Sequence, residues 1–165
     1  MSIEIERRFL IKNNIWKNFI IDQSIIEQGY FLSNSNGWII RIRSEREKFK
    51  LTFKKHKINF SNYEFEYEIP NNDGMIFLSN LKNRIKKERF YLFINKKNWI
   101  VDCFKGENFP LEIAEIELND EKEKIEMPNF ISKEVTGVKK LSNFQLAQTP
   151  LSNWNKKDLK NFFSI

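Results

Sequence analysis

Polar and apolar residues alternate with a period of two along much of the chain, the mark of strands whose two faces meet different surroundings. Ile3, Ile5, Arg7 and Phe9 alternate with Glu4, Glu6 and Arg8. Arg41 and Arg43 alternate with Ile40 and Ile42, and Lys48, Lys50, Thr52 and Lys54 with Phe49, Leu51 and Phe53. Glu64, Glu66 and Glu68 interleave with Phe65, Tyr67 and Ile69. Lys87 and Arg89 follow, then Asp102 after Trp99-Ile100-Val101, and finally Glu115 and Glu117 among Ala114, Ile116 and Leu118. The pattern predicts about seven or eight short strands, set apart by turn signals such as Ser33-Asn34-Ser35-Asn36-Gly37 and Pro70-Asn71-Asn72-Asp73-Gly74. Hairpin-like spacing predicts an antiparallel sheet, sandwich or barrel. Helical signals cover Asn13 to Ile20, a segment capped by Asp73 and running to about Leu81 with Met75, Leu78 and Leu81 on one stripe, and a stretch after Val135 through Asn143 to Ala147. A last short turn from Lys156 to Phe163 closes the barrel end or frays.

Length and composition narrow the classes. At 165 residues, without an internal repeat, long linker or low-complexity block, the chain predicts one domain over residues 1–165. The 30% charged and 41% hydrophobic content suits a folded globular protein. No run of about 18 apolar residues predicts a membrane-spanning helix. The first residues lack an apolar secretory core, so no signal peptide is expected. A single cysteine, Cys103, excludes an internal disulfide and suits a reducing, cytoplasmic setting. One histidine and one cysteine do not make a zinc site of the usual kind. The five glycines form neither a P-loop nor a dinucleotide fingerprint. His56 lies in Lys54-Lys55-His56-Lys57, which reads as an exposed turn and not a catalytic position. Cys103 reads as a small core residue, and Trp38, Trp99 and Trp154 as packing residues, with Trp38 beside Gly37 also placed to cover a cavity mouth.

The net charge of +6 favours anionic partners. Its placement says more. Glu4 and Glu6, Glu64 and Glu66, and Glu115 and Glu117 each put two carboxylates on one side of one strand; Arg41 and Arg43, and Lys87 and Arg89, do the same with bases. Like charges held about 7 Å apart repel. On a flat solvated sheet water and salt compensate them. If the sheet curls, the same faces converge on a cavity holding carboxylates beside bases. Oxygen ligands would then select a hard divalent cation, Mg²⁺ or Mn²⁺, and the bases would clamp a polyphosphate. The interleaved acids argue against a nucleic-acid partner, since carboxylates in a phosphate groove repel it.

The ordered motifs resemble a known family. Glu4-Ile5-Glu6-Arg7-Arg8 is similar to the ExExK signature of the CYTH superfamily, the triphosphate tunnel metalloenzymes. Gln28-Gly29-Tyr30, Ile40-Arg41-Ile42-Arg43, Leu51-Thr52-Phe53-Lys54, Glu64-Phe65-Glu66, Lys87-Glu88-Arg89-Phe90, Asp102-Cys103-Phe104-Lys105-Gly106, Ala114-Glu115-Ile116-Glu117 and Glu134-Val135-Thr136 with Asn143 and Leu146-Ala147 follow in the family's order. The match spans residues 3–147 and leaves 148–165 as a C-terminal extension.

The resemblance implies a closed eight-stranded antiparallel β-barrel, a tunnel with a few short flanking helices. It also implies Mg²⁺- or Mn²⁺-dependent hydrolysis of a small triphosphate, possible substrates including inorganic tripolyphosphate. By position, Glu4, Glu6, Asp102, Glu115 and Glu117 match the acidic metal residues, with Glu64 and Glu66 binding metal or orienting bases. Arg41, Arg43, Lys54, Lys87 and Arg89 match the phosphate-holding bases, and Lys54, Lys87 and Arg89 count with Arg8 and Tyr30 as candidate catalytic groups. Lys48 and Lys50 are expected nearer the rim.

Two departures stand out. The signature lysine is Arg8, which does not give up its proton; it can bind a phosphate oxygen, but a lysine–tyrosine proton abstraction with Tyr30 is lost. The closing segment carries Val138 for an acid, Lys140 for an arginine and Leu141 for a tyrosine, leaving Lys140 to supply positive charge. A catalytically weak polyphosphate- or nucleotide-binding module is the alternative, and cyclisation of ATP, as in class IV adenylate cyclases, a further one. Oligomeric state is not legible.

Overall fold

The computed structural model describes residues 3–31, 37–59 and 61–163. The turn expected at Ser33 to Asn36 lies outside the described residues. Nine strands form one sheet: β1 (Ile3–Ile11), β2 (Ile20–Tyr30), β3 (Trp38–Glu45), β4 (Lys48–Ile58), β5 (Ser61–Ile69), β6 (Arg84–Ile94), β7 (Lys97–Phe104), β8 (Glu112–Glu117) and β9 (Ile131–Glu134). Their order is β5-β4-β3-β2-β6-β7-β8-β1-β9, and β5 also pairs with β1. That last pairing closes an eight-stranded antiparallel barrel, as the motif resemblance implies, with β9 as an extra strand. Among the described residues the closing seam matches Ile3, Glu4 and Ile5 with Tyr63, Asn62 and Ser61.

Turn chemistry sets the hairpins. Arg46 and Glu47 (φ 50° and 61°) join β3 to β4, and Asn95 and Lys96 (φ 50° and 61°) join β6 to β7. Two consecutive left-handed residues are what a two-residue type I′ hairpin needs. The Lys55-His56-Lys57 stretch is not a turn, because β4 runs on to Ile58; His56 is an exposed strand residue.

Helices cover the outside. α1 (Asn71–Asn80) starts after Pro70, so Asp73 sits inside its first turn and does not cap it. Gly74 lets α1 settle onto β4: a Cβ there would stand 2.2 Å from Phe49 Cγ. Ile42, Phe49 and Leu78 form the small core between α1 and the barrel. A 3-10 turn, Asn14–Phe19, is capped by the Asn13 side chain and inserts Trp16 beside Phe9, Leu92, Trp99, Val101 and Ile116. Trp38 does not cover a mouth; it lies with Phe65 and under Lys55 on the outer face.

The largest core lies at one barrel end. There α2 (Asn143–Gln148) and the segment to α3 (Lys156–Phe162) bring Leu141, Leu146, Leu151 and Trp154 against Leu10, Tyr30, Ile85, Phe104 and Ile113. The inner face of β1 thus reads Glu4, Glu6, Arg8 and then Leu10: charged through the bore, apolar at its floor.

Candidate active site

Register brings the alternating charges together. Arg41 stands opposite Thr52, and Thr52 opposite Glu66. Lys54 stands opposite Glu64, Arg89 opposite Asp102, and Arg8 opposite Glu115. Because side chains alternate, one strand parity places all of these inside.

Four clusters result. In the first, Lys54 Nζ bonds Glu4 and lies 3.3 Å from Glu64 and 3.9 Å from Glu6. In the second, Glu66 gathers Arg43 Nη2 at 3.0 Å, Arg41 Nη2 at 3.3 Å and Lys50 Nζ at 2.7 Å, while the Thr52 hydroxyl donates to it at 3.2 Å. In the third, Asp102, wholly buried, accepts from Arg89 Nε and Nη2, both at 2.8 Å, and from Lys87. In the fourth, Arg8 Nε donates to Glu115 at 2.9 Å and Nη1 to the Leu141 carbonyl at 3.0 Å, and Arg89 lies 3.4 Å from Glu115.

The bore tunes these groups. Burial, with the neighbouring Glu6 carboxylate and opposed by Lys54, pushes Glu4 up to about 8. Burial would raise Glu6 as well, but Lys54, Arg8, Lys87 and Arg89 outweigh it and hold Glu6 below the usual carboxylate range. Burial pulls Lys87 down to about 8, with Arg89 adding to the effect and Asp102 opposing it. Asp102 is lowered: burial works against its charge, and Arg89 and Lys87 overcome it. Burial raises the Tyr30 phenol to about 12, so it stays protonated; it accepts from Gln28 Nε2 at 2.5 Å.

Glu6, Arg8, Tyr30, Arg41, Thr52 and Lys54 line a cavity of about 450 Å³ whose other wall is Thr136 to Lys139, Asn143 and Phe144. Within the bore Arg8 Nη2, Arg41 Nε and Arg43 Nε are buried, with no acceptor among the described residues. A buried N–H without a partner costs about 1–3 kcal/mol, so three such donors favour an anionic guest.

The candidate residues divide. Glu66, Asp102 and Glu115 each hold two or more bases. Glu4, Glu6 and Glu64 share Lys54, and Glu64 also lies 3.6 Å from Arg41 Nη2. Glu117 is exposed and faces Glu6 across the β1–β8 ladder. Lys140 is not in the cavity: it pairs with Asp158 at 2.5 Å and covers the Trp154 ring, while its neighbour Lys139 lines the wall. Lys50, expected at the rim, takes part in the Glu66 cluster. Residues not singled out by sequence complete the site. Glu45 accepts from Ser24 and Tyr91; it continues the Arg41, Arg43 alternation, as Tyr91 continues Lys87, Arg89. Asn143 Oδ1 is buried without a partner.

Among the described residues no three acidic, histidine or cysteine side chains form a ready-made metal cage. Lys54 stands between Glu4, Glu6 and Glu64 instead. Their chemistry nevertheless fits a hard cation. All the donors are oxygens, and among the described residues the buried Glu64 Oε2 accepts no hydrogen bond, with Lys54 Nζ 3.3 Å away as its ion-pair partner.

A closed antiparallel barrel with acids and bases interlocked in its bore matches a known tunnel fold. The chain belongs to the CYTH family, whose domain profile matches residues 2–148. It is 34% identical over 158 residues to an inorganic triphosphatase of Acetivibrio thermocellus, covering 94% of this chain and 100% of that one. A crystal structure of an inorganic triphosphatase superposes with a TM-score of 0.65 at 24% identity, covering 89% of this chain and 95% of that chain. A Bacillus halodurans structure described as a candidate adenylate cyclase gives a TM-score of 0.57 at 16% identity, over 99% of this chain and all of that chain. Among the described residues no helix is long and apolar enough to cross a membrane.

Proposed function

We propose that the protein hydrolyses a small linear triphosphate, inorganic tripolyphosphate first among candidates, with Mg²⁺ or Mn²⁺ as cofactor and in the cytoplasm. The observation that carries this reading is the set of three buried guanidinium donors, Arg8 Nη2, Arg41 Nε and Arg43 Nε, that have no acceptor among the described residues. Closely set phosphate oxygens suit such donors, because guanidinium groups match their geometry and spread their charge. The Acetivibrio relative, an inorganic triphosphatase across its full length, supports the same substrate class.

Glu4, Glu6 and Glu64 would hold the metal, with Glu117 at their edge. When bound there, a divalent ion supplies charge neutralisation to the phosphates and acidifies a bound water. Glu66, Asp102 and Glu115 keep the bases charged and aimed. Arg41, Arg43 and Lys54 then grip one stretch of the phosphate chain, and Arg8, Lys87 and Arg89 another. Such preorganised charge favours the in-line displacement, whose equatorial oxygens carry the developing charge. Tyr30 keeps its proton and serves as a donor. Arg8 keeps its proton too, so the attacking water loses its proton to a carboxylate.

The test is phosphate release from tripolyphosphate, ATP and thiamine triphosphate with Mg²⁺, with Mn²⁺ and with EDTA. Release that disappears on chelation and in Glu4→Gln is the expected result. Tight binding of tripolyphosphate without turnover would replace the hydrolase with a binding module, the reading that the fixed charge of Arg8 favours.

A further inference from the structure

Much of one cavity wall comes from a single strap. Thr136, Gly137, Val138, Lys139 and Ser142 all line the cavity and follow β9 directly. In the ladder β9 matches β1 at Phe9 with Glu134 and at Ile11 with Ile131, and Val135 and Leu141 anchor the two ends of the strap in the core. Two consecutive residues of β1 fasten the rest, one from each face.

On the outer face Arg7 grips Glu134 with both prongs, Nε to Oε1 at 2.9 Å and Nη2 to Oε2 at 2.6 Å. Thr136 Oγ1 donates to Glu134 Oε1 at 2.7 Å and accepts from the Arg8 backbone N–H at 3.0 Å. The Val135 N–H donates to the Arg8 carbonyl at 2.8 Å. On the inner face the Arg8 guanidinium donates to the Leu141 carbonyl at 3.0 Å. Arg7 does not line the cavity. Its grip runs through Glu134 and Thr136 onto the backbone of the residue that does.

We infer that Arg7 and Glu134 are a positioning pair that sets the strap wall and Arg8 for the triphosphate. The inference rests on the hydrolase reading above. The pair is partly solvated, with side chains 23% and 42% exposed, so solvent screens part of its charge interaction. Its value is directional, because a two-pronged carboxylate contact fixes orientation as well as distance. Small displacements of binding groups weaken a site far more than they weaken a fold.

The experiment uses the full chain as wild type, Arg7→Met, Glu134→Gln and the exchanged pair Arg7→Glu/Glu134→Arg. Amide hydrogen exchange should quicken about fivefold over residues 135–142 in the single variants, stay unchanged in β3 to β5, and return towards wild type in the exchanged pair. With tripolyphosphate, KM should rise about fivefold at a kcat within about twofold, and recover in the exchanged pair. Wild-type strap exchange and KM in the single variants overturn the inference. So does faster exchange spread evenly over the barrel, which marks general destabilisation. A wild-type chain that releases no phosphate defeats the hydrolase reading alone, and strap exchange still decides whether the pair holds the wall.

Discussion

Arg8 and Glu115 face each other across the β1–β8 ladder and bond at 2.9 Å, while the same guanidinium reaches the Leu141 carbonyl and leaves Nη2 without a protein partner. Three tasks fall to one forked group. A lysine ammonium has no fork, so Arg8→Lys should keep the charge and lose the simultaneous reach. KM for tripolyphosphate should rise about tenfold in Arg8→Lys, and kcat/KM should fall about a hundredfold in Arg8→Met, the loss of one charge-assisted contact. Steady-state kinetics read both. A large gain in rate on Arg8→Lys would instead show that the chain lacks a proton-transfer partner at this position.

Asp102 is the counter-ion for two buried bases at once. Asp102→Asn leaves Lys87, 1% exposed, and Arg89 beside it without that charge. Breaking such a buried pair from one side costs about 3–5 kcal/mol. Chemical denaturation should show a loss of that order, and an unchanged midpoint would mean that Glu115 compensates Arg89 alone.

The lowered Lys87 gives substrate binding a basic limb. Its ammonium attracts phosphate only while protonated, so affinity for tripolyphosphate should fall as pH rises through about 8. Lys87→Met should bind more weakly and lose that limb. Stability moves the opposite way. Between about pH 8 and the ordinary lysine range the unfolded chain holds a proton that the folded one has released, so this residue makes folding more favourable as pH rises there. Calorimetric titration across pH 7 to 10 measures the binding effect.

Glu4 predicts a metal-linked pH effect. Its folded pKa of about 8 lies above that of an unfolded glutamate, so its contribution is fully present at acid pH. In chelator, that contribution should decline by up to about 1.4 kcal/mol per pH unit as pH rises from the ordinary carboxylate range to about 8. Glu4→Gln should flatten this slope and be more stable than wild type near pH 8 in EDTA. Added Mg²⁺ or Mn²⁺ should reverse the order, because only the carboxylate holds the ion. Thermal melts with and without metal test both halves.

The bore was legible because its residues obey a strict alternation. Arg41 and Arg43, Glu64 and Glu66, and Glu115 and Glu117 each mark one inward face, and the ordered motifs supplied the closure that periodicity left open among sheet, sandwich and barrel. β2 was poorly marked, because Ile21 and Ile25 are exposed on its outer face while Ser24 and Gln28 are buried. β9 is only four residues long, too short for a period to register. The pairing of each acid with its bases lay beyond the sequence, since Lys54 and Glu4 are 50 residues apart and meet only when the barrel closes. Lys140 was misplaced for a related reason. Next to Lys139 in a 3-10 turn, its direction depends on Asp158 and Trp154, which the C-terminal extension supplies.

The seam between β1 and β5 has a bearing on how the barrel closes. Among the described residues β1 pairs with β5, about sixty residues further along the chain, with β8, about a hundred further, and with β9 beyond that. Adjacent hairpins stack β3 to β5 through local contacts, whereas β1 finds its partners only across long stretches of chain, a closure that topology makes slower. Glu4 and Glu6 meet Lys54 through that same long-range pairing, so closing the cylinder also assembles its charges.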